Sequence, residues 1–205
     1  MVKVKVCGIK RLEDAGLALE LGADFIGLNF WPGTKRVIEL KDAKKIVKAI
    51  KGRAEIVGVF VNQPLEQVKE IAKALGLDWV QLHGEETPEY CGQLPVPVIK
   101  ALRLGSKDDL HTMDSYQKVV WLIDSKTRGY GGSGKRPDWA LARKAKFKAG
   151  KIILAGGLNP RNVAGAIEAM QPWAVDVASG VESAPGVKDR DQMKNFFEAI
   201  KNVTG

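Results

Sequence analysis

The chain has 205 residues, 45% of them hydrophobic, which is enough for one domain with a sizeable core and too little for two. Its formal charge of +8 suits nucleic acid, an acidic membrane or an anionic metabolite alike, but the lysines are dispersed over amphipathic segments without RNA-binding or zinc-finger spacing, so a solvated surface and no nucleic-acid partner are expected. No run approaches the roughly 18 apolar residues of a membrane span, and the N-terminus alternates charge with valine instead of carrying a signal peptide, so no membrane partner and a cytoplasmic location are expected.

Short β-branched runs and stretches with helical spacing alternate along the chain. A strand at 2–6 is followed by a helix at 12–21, a strand at 25–30 by a helix at 40–50, and a strand at 56–61 by a helix at 65–75. The strand at 79–82 precedes a short helix at 88–93, that at 96–102 a weak helix at 107–116, and that at 119–123 a helix at 137–148. The strand at 152–154 precedes a helix at 159–170, and the last strand, 174–177, a helix at 189–203. Strict alternation predicts a parallel sheet with crossover helices, and eight repeats predict closure into an α/β fold of the (β/α)8 TIM-barrel type, a single compact catalytic domain over 1–205. Leu21-Gly22-Ala23-Asp24 and Leu75-Gly76-Leu77-Asp78 each place a glycine where a helix stops before the next strand. The two cysteines, Cys7 and Cys91, form neither a disulfide framework nor a CxxC pair, so no metal site is expected and each is read alone.

In such a barrel the chemistry gathers at the C-terminal ends of the strands, and those positions are polar here. They include Cys7-Gly8-Ile9, the run from Trp31 to Arg36, Asn62, His83-Gly84-Glu85, Arg103 and Asp124-Ser125-Lys126-Thr127. After the seventh strand comes Gly156-Gly157-Leu158-Asn159-Pro160, whose glycines let backbone N–H groups converge on a small anion. After the eighth comes Ala178-Ser179-Gly180, which completes a cup with amide donors and a hydroxyl. Either loop alone reads equally as a tight turn; the two together point to a phosphorylated small-molecule substrate. Tyr130-Gly131-Gly132-Ser133-Gly134-Lys135 lacks the spacing of a nucleotide P-loop and is read as a lid over the barrel mouth.

Seven stretches carry a family resemblance. They are Lys5-Val6-Cys7-Gly8-Ile9, Phe30-Trp31-Pro32-Gly33-Thr34-Lys35-Arg36, Gln81-Leu82-His83-Gly84-Glu85, Leu122-Ile123-Asp124-Ser125-Lys126, Tyr130-Gly131-Gly132-Ser133-Gly134, Gly156-Gly157-Leu158-Asn159-Pro160 and the run from Val175 to Glu182. Together, in order and over nearly the whole chain, they resemble the phosphoribosylanthranilate isomerases of tryptophan biosynthesis. The resemblance implies an Amadori rearrangement of N-(5′-phosphoribosyl)anthranilate without a cofactor, with Cys7 as general base and Asp124 as general acid. It also implies that Arg36 binds the anthranilate carboxylate, as a guanidinium offers two parallel donors to a planar carboxylate. Lys10 and Ala178 depart from the family pattern, which more often has a small hydroxyl residue there.

The residues leave some roles open. Gln81 and His83 either hydrogen-bond sugar hydroxyls or orient the acid, and His83 reads equally as a rim residue. Asp176, one layer below the cup, either steadies Gly157 or touches substrate. Cys7 alone could be a buried structural thiol, and Asp124 a turn or N-cap residue. Cys91, in the short fourth helix, and His111 are assigned no function.

With ordinary pKa values, thiolate Cys7 and neutral Asp124 coexist in only about 10⁻⁵ of molecules at pH 7, a handicap of about 6 kcal/mol. The site is therefore expected to raise Asp124 by desolvation, lower Cys7 by nearby positive charge, or both. A bifunctional sugar-phosphate barrel needs a second phosphate cup, and after the third strand there is only Val61-Asn62-Gln63-Pro64. A non-catalytic metabolite-binding barrel is the other alternative, against which the presence of both Cys7 and Asp124 argues. The chain reads equally as a monomer or a homodimer.

Overall fold

The computed structural model describes residues 1–104, 108–125 and 139–204. Strands and helices alternate as β1 (Lys3–Cys7), α1 (Leu12–Leu21), β2 (Phe25–Asn29), α2 (Leu40–Ile50), β3 (Glu55–Phe60), α3 (Leu65–Leu75), β4 (Trp79–Leu82) and α4 (Pro88–Gly92). They continue as β5 (Val98–Leu104), a 3-10 helix (Asp108–Ser115), β6 (Val119–Ser125), α5 (Trp139–Ala149), β7 (Ile152–Leu154), α6 (Val163–Met170) and β8 (Ala174–Val177). The chain ends in a 3-10 turn (Ser179–Val181), a short hairpin of β9 (Glu182–Ala184) and β10 (Val187–Lys188), and α7 (Arg190–Thr204). The first eight strands close in sequence order, all parallel, with β1 paired to both β2 and β8.

The helices form because each has one apolar stripe to bury. On α2 that stripe is Ala43, Ile46, Val47 and Ile50, and on α7 it is Met193, Phe196, Phe197 and Ile200, all packed against the outside of the barrel. Alternate strand residues fill the inside, where Phe25, Val57, Ile99, Leu122, Ile153 and Ala174 make a second core. Trp79 and Trp173 pack against its edge, and the Lys3 ammonium lies 5.1 Å from the Phe25 ring and 5.5 Å from that of Trp173. This end of the barrel is thus plugged.

Gly22 and Gly76 end α1 and α3 in the left-handed conformation, at φ 100° and 60°. The aspartates that follow them act as braces. Asp24 accepts the Val4 N–H at 2.7 Å and Asp78 accepts the Ile56 N–H at 2.7 Å, so each ties the start of one strand to the start of the next.

Most expected elements fall within a residue or two of their observed bounds, and two differ more. The helix expected at 107–116 is a 3-10 helix, Asp108–Ser115. The helix expected from 159 starts at Val163, because Asn159 and Asn162 form a turn in which the Asn162 Oδ1 accepts the Asn159 N–H at 2.9 Å. The β9–β10 hairpin had no counterpart in the sequence reading. Among the described residues no helix is long and apolar enough to cross a membrane.

Candidate active site

A cavity of about 360 Å³ opens at the C-terminal ends of the strands. Nine of the ten expected site residues line it: Cys7, Arg36, Gln81, His83, Asp124, Gly156, Gly157, Asp176 and Ser179. The tenth, Gly180, stands behind the wall, where a Cβ would run into the Leu158 carbonyl oxygen. Its missing side chain lets the Ser179–Val181 turn pack onto the loop after β7, so the two halves of the expected cup are in contact. In that loop Gly156 and Gly157 both take positive φ, 88° and 67°, a concave turn suited to an anion. The Gly157 carbonyl is held by Asn162 Nδ2 at 2.9 Å and Asn159 Nδ2 at 3.2 Å. Asp176 therefore does not steady Gly157, as one reading had it; it pairs instead with Lys5 at 2.8 Å. The expected lid, 130–135, lies outside the described residues.

Cys7 is the last residue of β1 and Asp124 the sixth of seven in β6; both are buried, and they face the same cavity from separate strands. Room for the thiol comes from Gly27 on the neighbouring strand, where a Cβ would lie 2.8 Å from the Cys7 sulfur. Burial pushes the Cys7 thiol up, and although Lys5 and Lys188 pull it down, the net direction is up. The expected lowering by positive charge is thus overturned: the cations are present, but desolvation and the Asp176 carboxylate outweigh them.

Arg36 reaches the cavity from the β2–α2 loop, passing over Gly8, where a Cβ would lie 2.6 Å from its Cδ. Glu182 takes one edge of the guanidinium, with Nε at 2.9 Å and Nη2 at 2.6 Å. Glu182 thus occupies the Nε/Nη2 edge and not the Nη1/Nη2 edge. Behind this pair the fully buried Lys188 ammonium bonds the carbonyls of Cys7 (2.6 Å) and Ala178 (3.0 Å) and Glu182 Oε1 (2.9 Å). The hairpin is thereby fastened to the ends of β1 and β8.

The Gln81 side-chain amide, on β4, is hydrogen-bonded to Nε2 of His83. Burial, reinforced by Lys5, Lys100 and Arg103, pushes the His83 pKa down to about 3. Among the described residues the buried Gln81 carbonyl oxygen has no partner, a costly state that a ligand hydroxyl would relieve.

The sequence reading passed over Lys5, Gly27, Asn29, Glu182 and Lys188. Lys5 had a signal, because strand alternation puts it on the same face as Cys7. Asn29 lines the cavity from β2 while its Oδ1 accepts the Trp31 N–H at 2.9 Å. Lys10 does not line the cavity; its ammonium bonds the carbonyl of Lys35, which does, at 3.3 Å.

Comparison with known proteins adds the family. The family described as N-(5′-phosphoribosyl)anthranilate (PRA) isomerase matches residues 4–199. An N-(5′-phosphoribosyl)anthranilate isomerase of Myxococcus xanthus is 43% identical over 206 residues, covering 98% of this chain and 97% of that one. The crystal structure of phosphoribosyl anthranilate isomerase from Thermotoga maritima superposes with a TM-score of 0.93 at 43% identity, covering 98% of this chain and all of that one. A phosphoribosyl anthranilate isomerase in complex with reduced 1-(o-carboxyphenylamino)-1-deoxyribulose 5-phosphate superposes with a TM-score of 0.89 at 39% identity over 98% of this chain and all of that one.

Proposed function

The chain belongs to the N-(5′-phosphoribosyl)anthranilate isomerase family, and from that premise we propose that Cys7 and Asp124 carry out its reaction as general base and general acid. The reaction is the Amadori rearrangement of N-(5′-phosphoribosyl)anthranilate to 1-(2-carboxyphenylamino)-1-deoxyribulose 5-phosphate, in tryptophan biosynthesis. One observation carries the assignment: both groups line one cavity that has an anion cup at Gly156, Gly157 and Ser179 and a guanidinium, Arg36, on its rim.

Asp124 protonates the furanose ring oxygen, the C1′–O bond breaks, and the anilino nitrogen supplies the electron pair that makes the iminium. The Cys7 thiolate then takes the proton from C2′, and the C–H electrons form the C1′=C2′ bond while the iminium π pair returns to nitrogen. The enolamine so formed tautomerises to the ketone. Oxidation level is conserved overall, so proton transfers suffice. The C2′ proton is acidified by the adjacent iminium, and that same positive charge favours the thiolate when it is needed.

His83 lies in the same cavity, yet with its pKa near 3 only about 10⁻⁴ of it is imidazolium at pH 7. As a neutral group it suits hydrogen bonding to the sugar, together with Gln81, and leaves the acid role to Asp124. The phosphate sits in the cup, with Gly180 supporting it from behind, and the anthranilate carboxylate on Arg36. Asp176 adjoins the ribose. On the β3 side the wall is Val59 and Val61, and the Asn62 N–H is bonded to Glu86 Oε1 at 2.8 Å, which supports a substrate with a single phosphate. Residues 1–205 make one catalytic domain.

The test is the fluorescence loss of phosphoribosylanthranilate with wild type, Cys7→Ser and Asp124→Asn. Wild type turns over, and each variant falls by at least 10²-fold in kcat. An inert wild type removes the functional reading, and a fully active variant removes that residue's role.

A further inference from the structure

Lys5 stands two residues before Cys7 on β1, so both side chains leave the strand toward the inside of the barrel. It is fully buried, with no exposed surface. Its ammonium lies 2.8 Å from Asp176 Oδ1, directly across the β1–β8 register, on the same barrel-facing side of β1 as the Cys7 side chain. A buried ion pair at this place is weak evidence for stability, because an apolar pair of similar volume does as well or better. Its position against the thiol needs another account.

The other charged groups around Cys7 are committed elsewhere. Lys188, from β10, spends its three donors on two carbonyls and Glu182. Arg36, from the β2–α2 loop, is paired with Glu182, and His83, from β4, is neutral. Asp124 from β6 and Asp176 from β8 both disfavour a negative sulfur when ionised. Among the described cations near the thiol, Lys5 is the one that leaves the same strand on the same face, two residues away.

We propose that Lys5 is a positioning residue for Cys7: anchored by Asp176, its ammonium orients the sulfur and stabilises the thiolate that takes the C2′ proton. This rests on the reading of Cys7 as the base. Asp176 has a second consequence here, since it fixes the ammonium while opposing the thiolate, so the two members of the pair act on the sulfur with opposite signs.

The experiment uses full-length protein carrying Cys91→Ser, which leaves Cys7 as the single thiol. The rate of alkylation by iodoacetamide is followed against pH, and circular dichroism reports folding. Lys5→Met raises the alkylation midpoint by at least one pH unit, which slows alkylation about tenfold at a fixed pH below both midpoints, and the acidic limb of kcat/KM moves up with it. Lys5→Arg restores most of the shift. If Lys5→Met, with its carboxylate left unpaired, does not fold, the double variant Lys5→Met/Asp176→Asn keeps the interior neutral, and its midpoint still exceeds the parent's. A midpoint unchanged or lowered in the folded variant overturns the inference. Failure of the base assignment looks different: Cys7→Ser keeps its turnover while the Lys5 effect on alkylation stands.

Discussion

Replacing Gly27 by alanine tests how closely the barrel wall sets the Cys7 thiol, the proposed base. The new Cβ would sit 2.8 Å from the Cys7 sulfur, 3.2 Å from its Cβ and 3.0 Å from its Cα. Comfortable contacts need about 3.5–4.0 Å, so something must yield by about 0.5–1 Å. Gly27 and Cys7 are direct partners in the β1–β2 register, and the sulfur is the free end of the crowded group. The yielding therefore falls largely on the thiol. A displacement of about 1 Å costs roughly 10²-fold in rate, or about 2.7 kcal/mol of barrier. Overpacking adds a destabilisation of about 1–3 kcal/mol. The assay is steady-state turnover at 25 °C, beside urea unfolding, with kcat falling about 10²-fold and KM changing little. Gly16→Ala is the control, because a Cβ there meets nothing within 4 Å on α1, and it should leave kcat alone while stabilising by about 0.4–1 kcal/mol. If Gly27→Ala turns over within threefold of wild type, the wall does not set the thiol and the reasoning fails.

Glu182→Gln loosens the grip on Arg36, so KM rises about tenfold, equivalent to about 1.4 kcal/mol, while kcat stays within threefold. Burial pushes the Glu182 carboxyl up, but its bonds to Arg36 and Lys188 outweigh that and hold it below the ordinary range. A carboxyl depressed on folding stabilises the protein above its unfolded pKa, about 4.3, and loses that contribution as pH falls through the lower folded value. The gap in urea midpoint between wild type and Glu182→Gln should therefore be open at pH 7 and narrower at pH 3; an equal gap at both pH values contradicts the ion pair. The His83 ring resonances should stay constant from pH 8 to pH 5 in an NMR titration, as expected for a group titrating near 3. A midpoint above 5 would contradict the burial that keeps the ring neutral.

The barrel was legible because its two patterns are distinct, with short continuous apolar runs in β2 and β3 and a 3.6-residue stripe in α2 and α3. The cavity positions of Cys7 and Asp124 were legible because both stand at the C-terminal ends of strands, where the cavity of this fold opens. Lys5 was passed over for a related reason. A lysine alternating with valine normally signals a strand with one face in water, whereas closure of the barrel leaves no such face, and closure is a global property. Glu182 and Lys188 needed the hairpin, whose two short strands are too brief to show a period; Pro185-Gly186 was the visible turn signal. The direction of the Cys7 shift depends on weighing burial against two cations, and that weighing needs coordinates.

The aspartate braces bear on the order in which the barrel assembles. Asp24 and Asp78 reach back only 20 and 22 residues, so each βαβ unit can fasten itself with short-range contacts. The bond between Lys5 and Asp176 joins residues 171 apart, across the seam where the last strand meets the first. Loop-closure entropy grows with the logarithm of that separation, which makes joining the seam about 2 kcal/mol more costly than forming either brace from an open chain. Short-range units of this kind form ahead of long-range pairings. Until the seam forms, the ammonium and carboxylate remain hydrated, so the step that completes the barrel is also the one that strips water from the charges beneath the Cys7 thiol.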